Sequence, residues 1–87
     1  MNQEHYYIWK TIDKIAYING ISVSALAKKA GLDATTFNKS KRFSTYGKRR
    51  WPSMESISKV LKITGMNWNN FYTYLMEVKK ENEKTVK

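Results

Sequence analysis

Helix-ending signals divide this chain into short amphipathic segments, and that division limits the possible folds more than any other feature of the sequence. Asn19-Gly20, Gly31 and Gly65 each follow a segment in which apolar residues recur at three- and four-residue steps. Glycine and asparagine tolerate the left-handed backbone conformation that closes a helix. No segment alternates apolar and polar residues over a convincing strand length. The sequence therefore predicts an all-α domain.

Three of the predicted helices have a clear apolar face. The first spans Glu4 to Ile18, with apolar residues at Ile8, Trp9, Ile12, Ile15 and Ala16. A later helix is capped by Ser53 and ends at Gly65, with an inner face of Met54, Ile57, Val60 and Leu61. The last is capped by Asn67 and has a stripe of Trp68, Phe71, Tyr72, Leu75 and Met76 or Val78. Residues 79–87 are predicted to be a charged, flexible tail beyond a single domain at 1–78.

Two further helices are predicted between Gly20 and the basic residues that follow Phe37. Ser22 can cap a short helix that directs Leu26 and Ala30 inward, with Ala27 small enough for another helix to cross closely. After the turn at Gly31, Asp33 can cap a third helix, from Ala34 to about Lys41, which Phe37 anchors. Two short helices joined by a glycine-containing turn form the unit that places its second helix in a DNA major groove.

Positive charge is concentrated directly after this unit. The chain of 87 residues has 16 Lys and Arg against 7 Asp and Glu, a net charge of +9, and no acid lies between Asp33 and Glu55. Residues 43–52 lack helical periodicity and contain Gly47 and the only proline, so they are predicted to form a basic loop. A polyanion, either nucleic acid or an anionic membrane, is the first class of partner to consider.

The stretch "SVSALAKKAGLDATTFNKSKR" resembles the helix-turn-helix of the lambda-repressor-like (XRE) DNA-binding domains of bacterial and phage regulators. With "IWKTIDKIA" and "RWPSMESISKVLKITG", it is similar to the N-terminal domains of phage-type repressors that carry a C-terminal self-cleaving serine peptidase domain. The likeness covers about Ile8 to Leu75. It implies a compact five-helix bundle, with the motif at about residues 22–41, that binds a roughly palindromic double-stranded operator, usually as a homodimer.

The resemblance also implies which residues contact DNA. The base-reading positions of the family fall on Ala34, Thr35, Asn38 and Lys39. Its phosphate-binding positions fall on Ser22, Ser24, Lys41 and Arg42. The chain departs from the family pattern in Val23, where many members have glutamine, in Ser40, where a large apolar anchor is usual, and in its longer basic loop.

Two more sets of residues are predicted from their chemistry. Lys48, Arg49 and Arg50 are hypothesised to contact the DNA backbone or to enter a minor groove, because basic arms bind in this way. Tyr72, Tyr74 and Met76 on the last helix are candidates for a dimer surface. Trp9, Trp68 and Phe71 are expected in the core, and the lone His5 is not expected to bind a metal.

Several classes of function are disfavoured. Without cysteine the chain has no disulfide, thiolate cluster or catalytic thiol, and it lacks a phosphate-cradling glycine loop, metal-ligand spacing and a convincing carboxylate pair. We therefore expect no enzyme and no cofactor or metal. No apolar run has the length of a membrane span and the N-terminus does not look like a secretory signal, so a cytoplasmic, nucleoid-associated protein is expected. The alternatives are an antitoxin-like or anti-repressor protein-interaction module and a non-specific nucleic-acid binder.

Overall fold

Four α-helices form the domain in the computed structural model, which describes residues 3–86 and, of their side chains, those of residues 3–82. They are α1 (Glu4–Ile18), α2 (Val23–Lys29), α3 (Met54–Thr64) and α4 (Trp68–Val86). Helix α1 packs against α2 and α4, and α2 packs against α3. Met1, Asn2 and Lys87, which belong to the predicted domain and tail, lie outside the described residues. None of the described helices is long and apolar enough to cross a bilayer.

The predicted helix ends are confirmed where a cap or a glycine marks them. The Ser22 hydroxyl oxygen accepts a hydrogen bond from the amide of Ala25 at 3.1 Å, and the Ser53 hydroxyl oxygen accepts one from the amide of Ser56 at 3.0 Å. Gly65 closes α3 in the left-handed conformation, with φ +71°. At the start of α4, Asn67 and Asn70 exchange two side-chain-to-amide hydrogen bonds of 2.9 and 2.8 Å. These bonds satisfy amides that have no partner within the helix.

The core lies where α1, α2, α3 and the start of α4 meet. Its buried side chains are Trp9, Ile12, Ile15, Ala16, Leu26, Ala27, Ala30, Phe37, Ile57, Val60, Leu61 and Phe71. Tyr72, on the predicted apolar stripe of the last helix, is exposed by 61%, and two further residues of the predicted apolar faces, Met54 and Trp68, are exposed by 68% and 44%. Met54 and Trp68 are the first residues of their helices, and helical side chains tilt towards the N-terminus. Both side chains therefore extend past the packed part of the helix.

Helix α4 continues past Lys79 to Val86, where the sequence predicted a flexible tail. Contacts with α1 account for the difference. Val78 is buried, and the Lys14 ammonium lies 3.3 Å from a Glu77 carboxylate oxygen and 3.1 Å from one of Glu81. One buried valine and two ion pairs thus attach the charged end of α4 to α1, which local composition does not reveal.

The predicted helix over 34–41 is wrong, so the domain has four α-helices in its described part instead of five. Residues 34–37 form turns, Asn38 is extended with φ −64° and ψ 152°, and Lys39–Lys41 is a single 3₁₀ turn. The Thr36 hydroxyl donates to the carbonyl oxygen of Asp33 at 2.6 Å, and the Thr35 hydroxyl donates to the Asp33 carboxylate at 2.7 Å. Such side-chain bonds compete with a helical backbone, and threonine is a weak helix former. Residues 22–41, all of which the structure describes, therefore do not form a helix-turn-helix in the strict sense.

Candidate nucleic-acid interface

The turn segment, residues 33–41, replaces the predicted third helix and begins at Asp33. The Asp33 carboxylate accepts from the Thr35 amide at 2.9 Å, and the Asp33 carbonyl accepts from the Thr36 amide at 3.0 Å. Phe37 is 0% exposed and so anchors the middle of the segment in the core, as predicted. From there the chain returns to the surface through the 3₁₀ turn of Lys39–Lys41. The segment is thus fixed at both its start and its centre.

Hydrogen bonding lowers the pKa of the Asp33 carboxyl group. The largest cause is the bond from the Thr35 amide, followed by that from the Thr35 hydroxyl, and the charge of Lys41 acts in the same direction. A carboxyl whose pKa is lowered by folding stabilises the folded form above its unfolded pKa, and this contribution is lost as the pH falls through the folded pKa. We therefore expect protonation of Asp33 to weaken the hydrogen bonds that it accepts from Thr35.

We expect the Thr35 amide to report this titration directly. In the native chain its NMR chemical shift should move with a midpoint below the ordinary aspartate value of about 3.9. In Asp33→Asn the side-chain oxygen still accepts, but it does not ionise, so the Thr35 shift should not titrate in that range. A native midpoint at or above the ordinary value would contradict the hydrogen-bond geometry.

The predicted base-reading residues differ in how freely they can reach a ligand. Lys39 is exposed on the 3₁₀ turn, and Asn38 is half-buried just before it. Thr35 is exposed, but its hydroxyl hydrogen is used by Asp33. Ala34 is half-buried, and its carbonyl oxygen accepts from the Ser24 hydroxyl at 3.1 Å. Lys39 is therefore the donor of this set that lies most open to a partner.

Residues 42–50, which we call the basic hairpin, form an antiparallel turn and not an irregular loop. The Arg50 amide donates to the Arg42 carbonyl at 2.9 Å, and the Ser44 amide donates to the Lys48 carbonyl at 2.8 Å. Phe43 and Arg49 form a β-bridge between these bonds. At the tip, the Gly47 amide bonds to the Ser44 carbonyl at 2.9 Å. The side chains of Lys48, Arg49 and Arg50 are exposed on this ordered backbone.

Two side chains of α1 form hydrogen bonds with the backbone at the base of the basic hairpin. His5 is buried, and its Nε2 lies 2.9 Å from the Arg42 carbonyl oxygen and 3.0 Å from that of Arg50. Trp9 donates its indole hydrogen to the same Arg50 oxygen at 2.9 Å. Because carbonyl oxygens only accept, we assign a proton to His5 Nε2, and the 3.2 Å approach of the indole nitrogen to Nε2 is then a contact and not a hydrogen bond.

Arg42 turns inward, and this changes its predicted role. Its two terminal nitrogens donate to the two carboxylate oxygens of Asp13 at 3.1 and 2.7 Å, and one of them also donates to the Phe37 carbonyl at 2.9 Å. The guanidinium carbon lies 4.8 Å from the centre of the Trp9 ring. With its side chain only 11% exposed, Arg42 is engaged within the fold. We therefore correct the prediction that it binds phosphate: Arg42 connects the hairpin to α1.

The other predicted phosphate contacts vary in accessibility. Lys41 is exposed at the end of the 3₁₀ turn. Ser22 is exposed, and because its oxygen acts as an acceptor in the cap, its hydroxyl hydrogen is not used by that bond. Ser24 is half-buried and donates its hydroxyl hydrogen to Ala34, so it holds the turn segment against α2. Its role in the structure is to position that segment.

An open cleft of about 400 Å³ lies where the turn segment and the basic hairpin adjoin. It is lined by Ser40, Lys41, Phe43, Ser44, Thr45 and Arg50. Because residues of both segments line this cleft, the two segments adjoin on the surface of the domain. Lys39, Lys41, Lys48, Arg49 and Arg50 are all exposed along these segments, and the sequence between Asp33 and Glu55 contributes no acid. The surface is therefore strongly cationic, and its backbone is ordered.

The predicted dimer residues do not share one face of α4. Tyr72 is 61% exposed and Met76 is 38% exposed, and they lie one helical turn apart. Tyr74 is half-buried and packs against the core. Dimerisation through α4 remains a prediction for Tyr72 and Met76, while Tyr74 contributes to the fold.

Comparison with known proteins finds no family model, no curated protein and no solved structure that matches this chain.

Two residues that hold the backbone of this surface in place were not predicted from the sequence. His5 and Asp13 lie on α1, far along the chain from the hairpin they hold. Their spacing within α1 offers one indirect signal: His5, Trp9 and Asp13 follow one another at intervals of four, which places them on one side of the helix. Two polar residues in line with a large aromatic residue suggest a partner that needs hydrogen bonds as well as apolar contact.

Proposed function

We propose that this chain binds double-stranded DNA sequence-specifically and acts as a transcriptional regulator, most plainly as a repressor. The observation that carries the proposal is the continuous cationic surface of the turn segment and the basic hairpin. Apart from Asp33, Phe43 and Tyr46, its exposed side chains are lysines, arginines and small polar residues, which are the types that contact phosphates and base edges. The resemblance to lambda-repressor-like domains includes the turn segment, whereas the basic hairpin is where the chain departs from the family pattern.

The proposed mode of binding differs from that of a helix-turn-helix because the turn segment is not an α-helix. Lys39, on the 3₁₀ turn, would donate to guanine O6 and N7 in the major groove, with Asn38 and Thr35 beside it. The basic hairpin would follow the phosphates towards the adjacent minor groove. Lys41 and Ser22 would contact the backbone, which sets the register but carries no sequence information.

The anchoring of this surface favours specific binding over a general attraction to polyanions. Phe37 in the core, the Arg42–Asp13 ion pair and the His5 and Trp9 hydrogen bonds all restrict the backbone that carries the cations. A rigid surface can match the donor and acceptor pattern of one base sequence, since less conformational freedom is lost on binding. A peripheral membrane protein needs no such restriction, because its affinity follows charge and inserted apolar area.

A protein-interaction module is the second candidate function, and one observation favours it. Trp68, Tyr72 and Met76 are spaced four residues apart on α4 and are all at least 38% exposed. Such a stripe is typical of a helix that contacts another protein. A dimeric regulator would use this stripe as well. The exposed stripe therefore distinguishes the two functions only in combination with a DNA-binding measurement.

Selection of bound sites from random duplexes tests the proposed function. We expect enrichment of a roughly palindromic sequence, and an affinity for it at least about 10³-fold higher than for a scrambled duplex at the same salt concentration. Equal affinity for both duplexes would indicate a non-specific polyanion binder. Failure to bind either duplex would favour the protein-interaction module.

Replacement of Lys39 by alanine should relax the base preference at one defined position of the selected site. The lost contact should cost about 1–3 kcal/mol against the preferred base pair and little against the alternatives. Lys80→Ala, which removes the same charge from an exposed position of α4, is the matched control and should leave the preference unchanged. A repeated selection with each variant measures the effect, and an unaltered sequence preference in Lys39→Ala would contradict the assignment.

A further inference from the structure

Tyr46, at the tip of the basic hairpin, is 94% exposed. Among the residues whose side chains the structure describes, none places an aromatic ring against the Tyr46 ring, and none forms a hydrogen bond with its hydroxyl. A side chain of this size that packs against nothing contributes little to the stability of the fold. Its chemistry is therefore left open to a partner.

Phe43, on the hairpin, and Trp51, just after it, are exposed aromatic residues that differ from Tyr46 in this respect. Phe43 and Trp51 are each about half exposed, and their rings lie 4.9 and 5.3 Å from the His5 ring. Both rings pack against the buried imidazole, so their position has a structural explanation. Tyr46 has none within the fold.

The backbone that carries Tyr46 is held in place. The Ser44 hydroxyl oxygen accepts from the Tyr46 amide at 3.2 Å and from the Lys48 amide at 3.0 Å. Gly47 follows with φ +83°, a conformation that glycine adopts without strain and that turns the chain back towards Lys48. The tyrosine is thus presented at the end of a short, ordered turn, and binding would not need to order that turn first.

We propose that Tyr46 inserts against the bases of duplex DNA as a stacking wedge in the minor groove, while Lys48 and Arg49 hold the flanking phosphates. This inference rests on the proposed function and names a specific contact within it. Aromatic side chains stack on any base, and apolar wedges on basic elements partly unstack a base step and bend the duplex. The preferred step is pyrimidine–purine, because such steps unstack most easily.

Tyr46→Ala and Tyr46→Phe test the inference on the duplex selected by the native chain. Loss of base stacking should weaken binding by Tyr46→Ala about 5- to 150-fold, with no change in the salt slope because no charge is removed. Tyr46→Phe retains the ring and should bind within about twofold of the native chain. The native chain and Tyr46→Phe should raise the fluorescence of an adenine analogue at the wedged step, whereas Tyr46→Ala should not.

Since Tyr46 is exposed, both variants should have the same melting temperature as the native chain. Thermal melting checks this before binding is compared. Native affinity and a native fluorescence change in Tyr46→Ala would overturn the wedge, and so would a loss that appears on single-stranded DNA alone. If the native chain itself fails to distinguish its selected duplex from a scrambled one, the proposed function fails. If it distinguishes them and Tyr46→Ala does so equally well, only the wedge fails.

Discussion

Replacement of Arg42 by methionine is expected to lower the free energy of unfolding by about 2–3 kcal/mol. The change leaves the Asp13 carboxylate, whose side chain is only 27% exposed, without the two hydrogen bonds that now neutralise it. It also removes the donor to the Phe37 carbonyl and the cation above the Trp9 ring. The cost should be below that of a fully buried pair, because water reaches Asp13 in part. Urea denaturation measures it.

Lys41→Met is the matched control, because it removes the same charge from the neighbouring exposed residue. Its stability should lie within about 0.5 kcal/mol of the native value. Adding Asp13→Asn to Arg42→Met removes the stranded charge and should recover part of the loss. Equal stability of Arg42→Met and Lys41→Met would contradict the view that Arg42 joins the hairpin to α1.

Simultaneous replacement of Lys48, Arg49 and Arg50 by alanine is expected to reduce affinity for the selected duplex by about 10²–10³-fold near 0.1 M salt. Each phosphate contact releases condensed counterions, so the slope of log affinity against log salt should become shallower by as much as about 2.7 for three lost contacts. The fold should persist, since backbone groups hold the hairpin. Fluorescence anisotropy over a range of salt concentrations measures both quantities.

The control for this variant removes three exposed cations elsewhere. Lys59, Lys62 and Lys80, on α3 and α4, lie outside the turn segment and the hairpin. Their triple replacement by alanine changes the net charge equally, and it should leave the salt slope close to the native value. An unchanged slope in the hairpin variant would show that its cations do not contact phosphates.

The helices were predictable where local signals act alone. The bounds of α1 follow from its apolar spacing and from Asn19-Gly20, and Ser22 and Ser53 mark the starts of α2 and α3. The failure at 34–41 has a specific cause. The bond from the Thr35 amide to the Asp33 carboxylate occurs both in a helix cap and in an isolated turn. The helix and the isolated turn differ in whether helical backbone hydrogen bonds continue after this first bond. The threonine hydroxyls that compete with those backbone bonds are also local signals, so the local sequence does not decide between the two structures.

The candidate site was predictable in its charge but not in its support. The absence of acidic residues between Asp33 and Glu55 is evident from the sequence, and the structure shows how the backbone of this cationic segment folds. The inward turn of Arg42 depends on Asp13, which lies 29 residues away, and the hairpin depends on His5. The spacing within α1 indicates a partner but does not identify it, and nothing in the sequence around Arg42 distinguishes this one structural cation from the other five.

The most direct test of the central claim is the change in backbone amide NMR signals when the selected duplex is added. We expect shifts that saturate at one equivalent of binding sites and are concentrated in residues 34–41 and 44–50. If a dimer forms, the exposed face of α4 should shift only around Tyr72 and Met76. Large shifts along α3 or α4 with residues 34–50 unmoved would contradict the claim that the turn segment and the basic hairpin together form a DNA-binding surface.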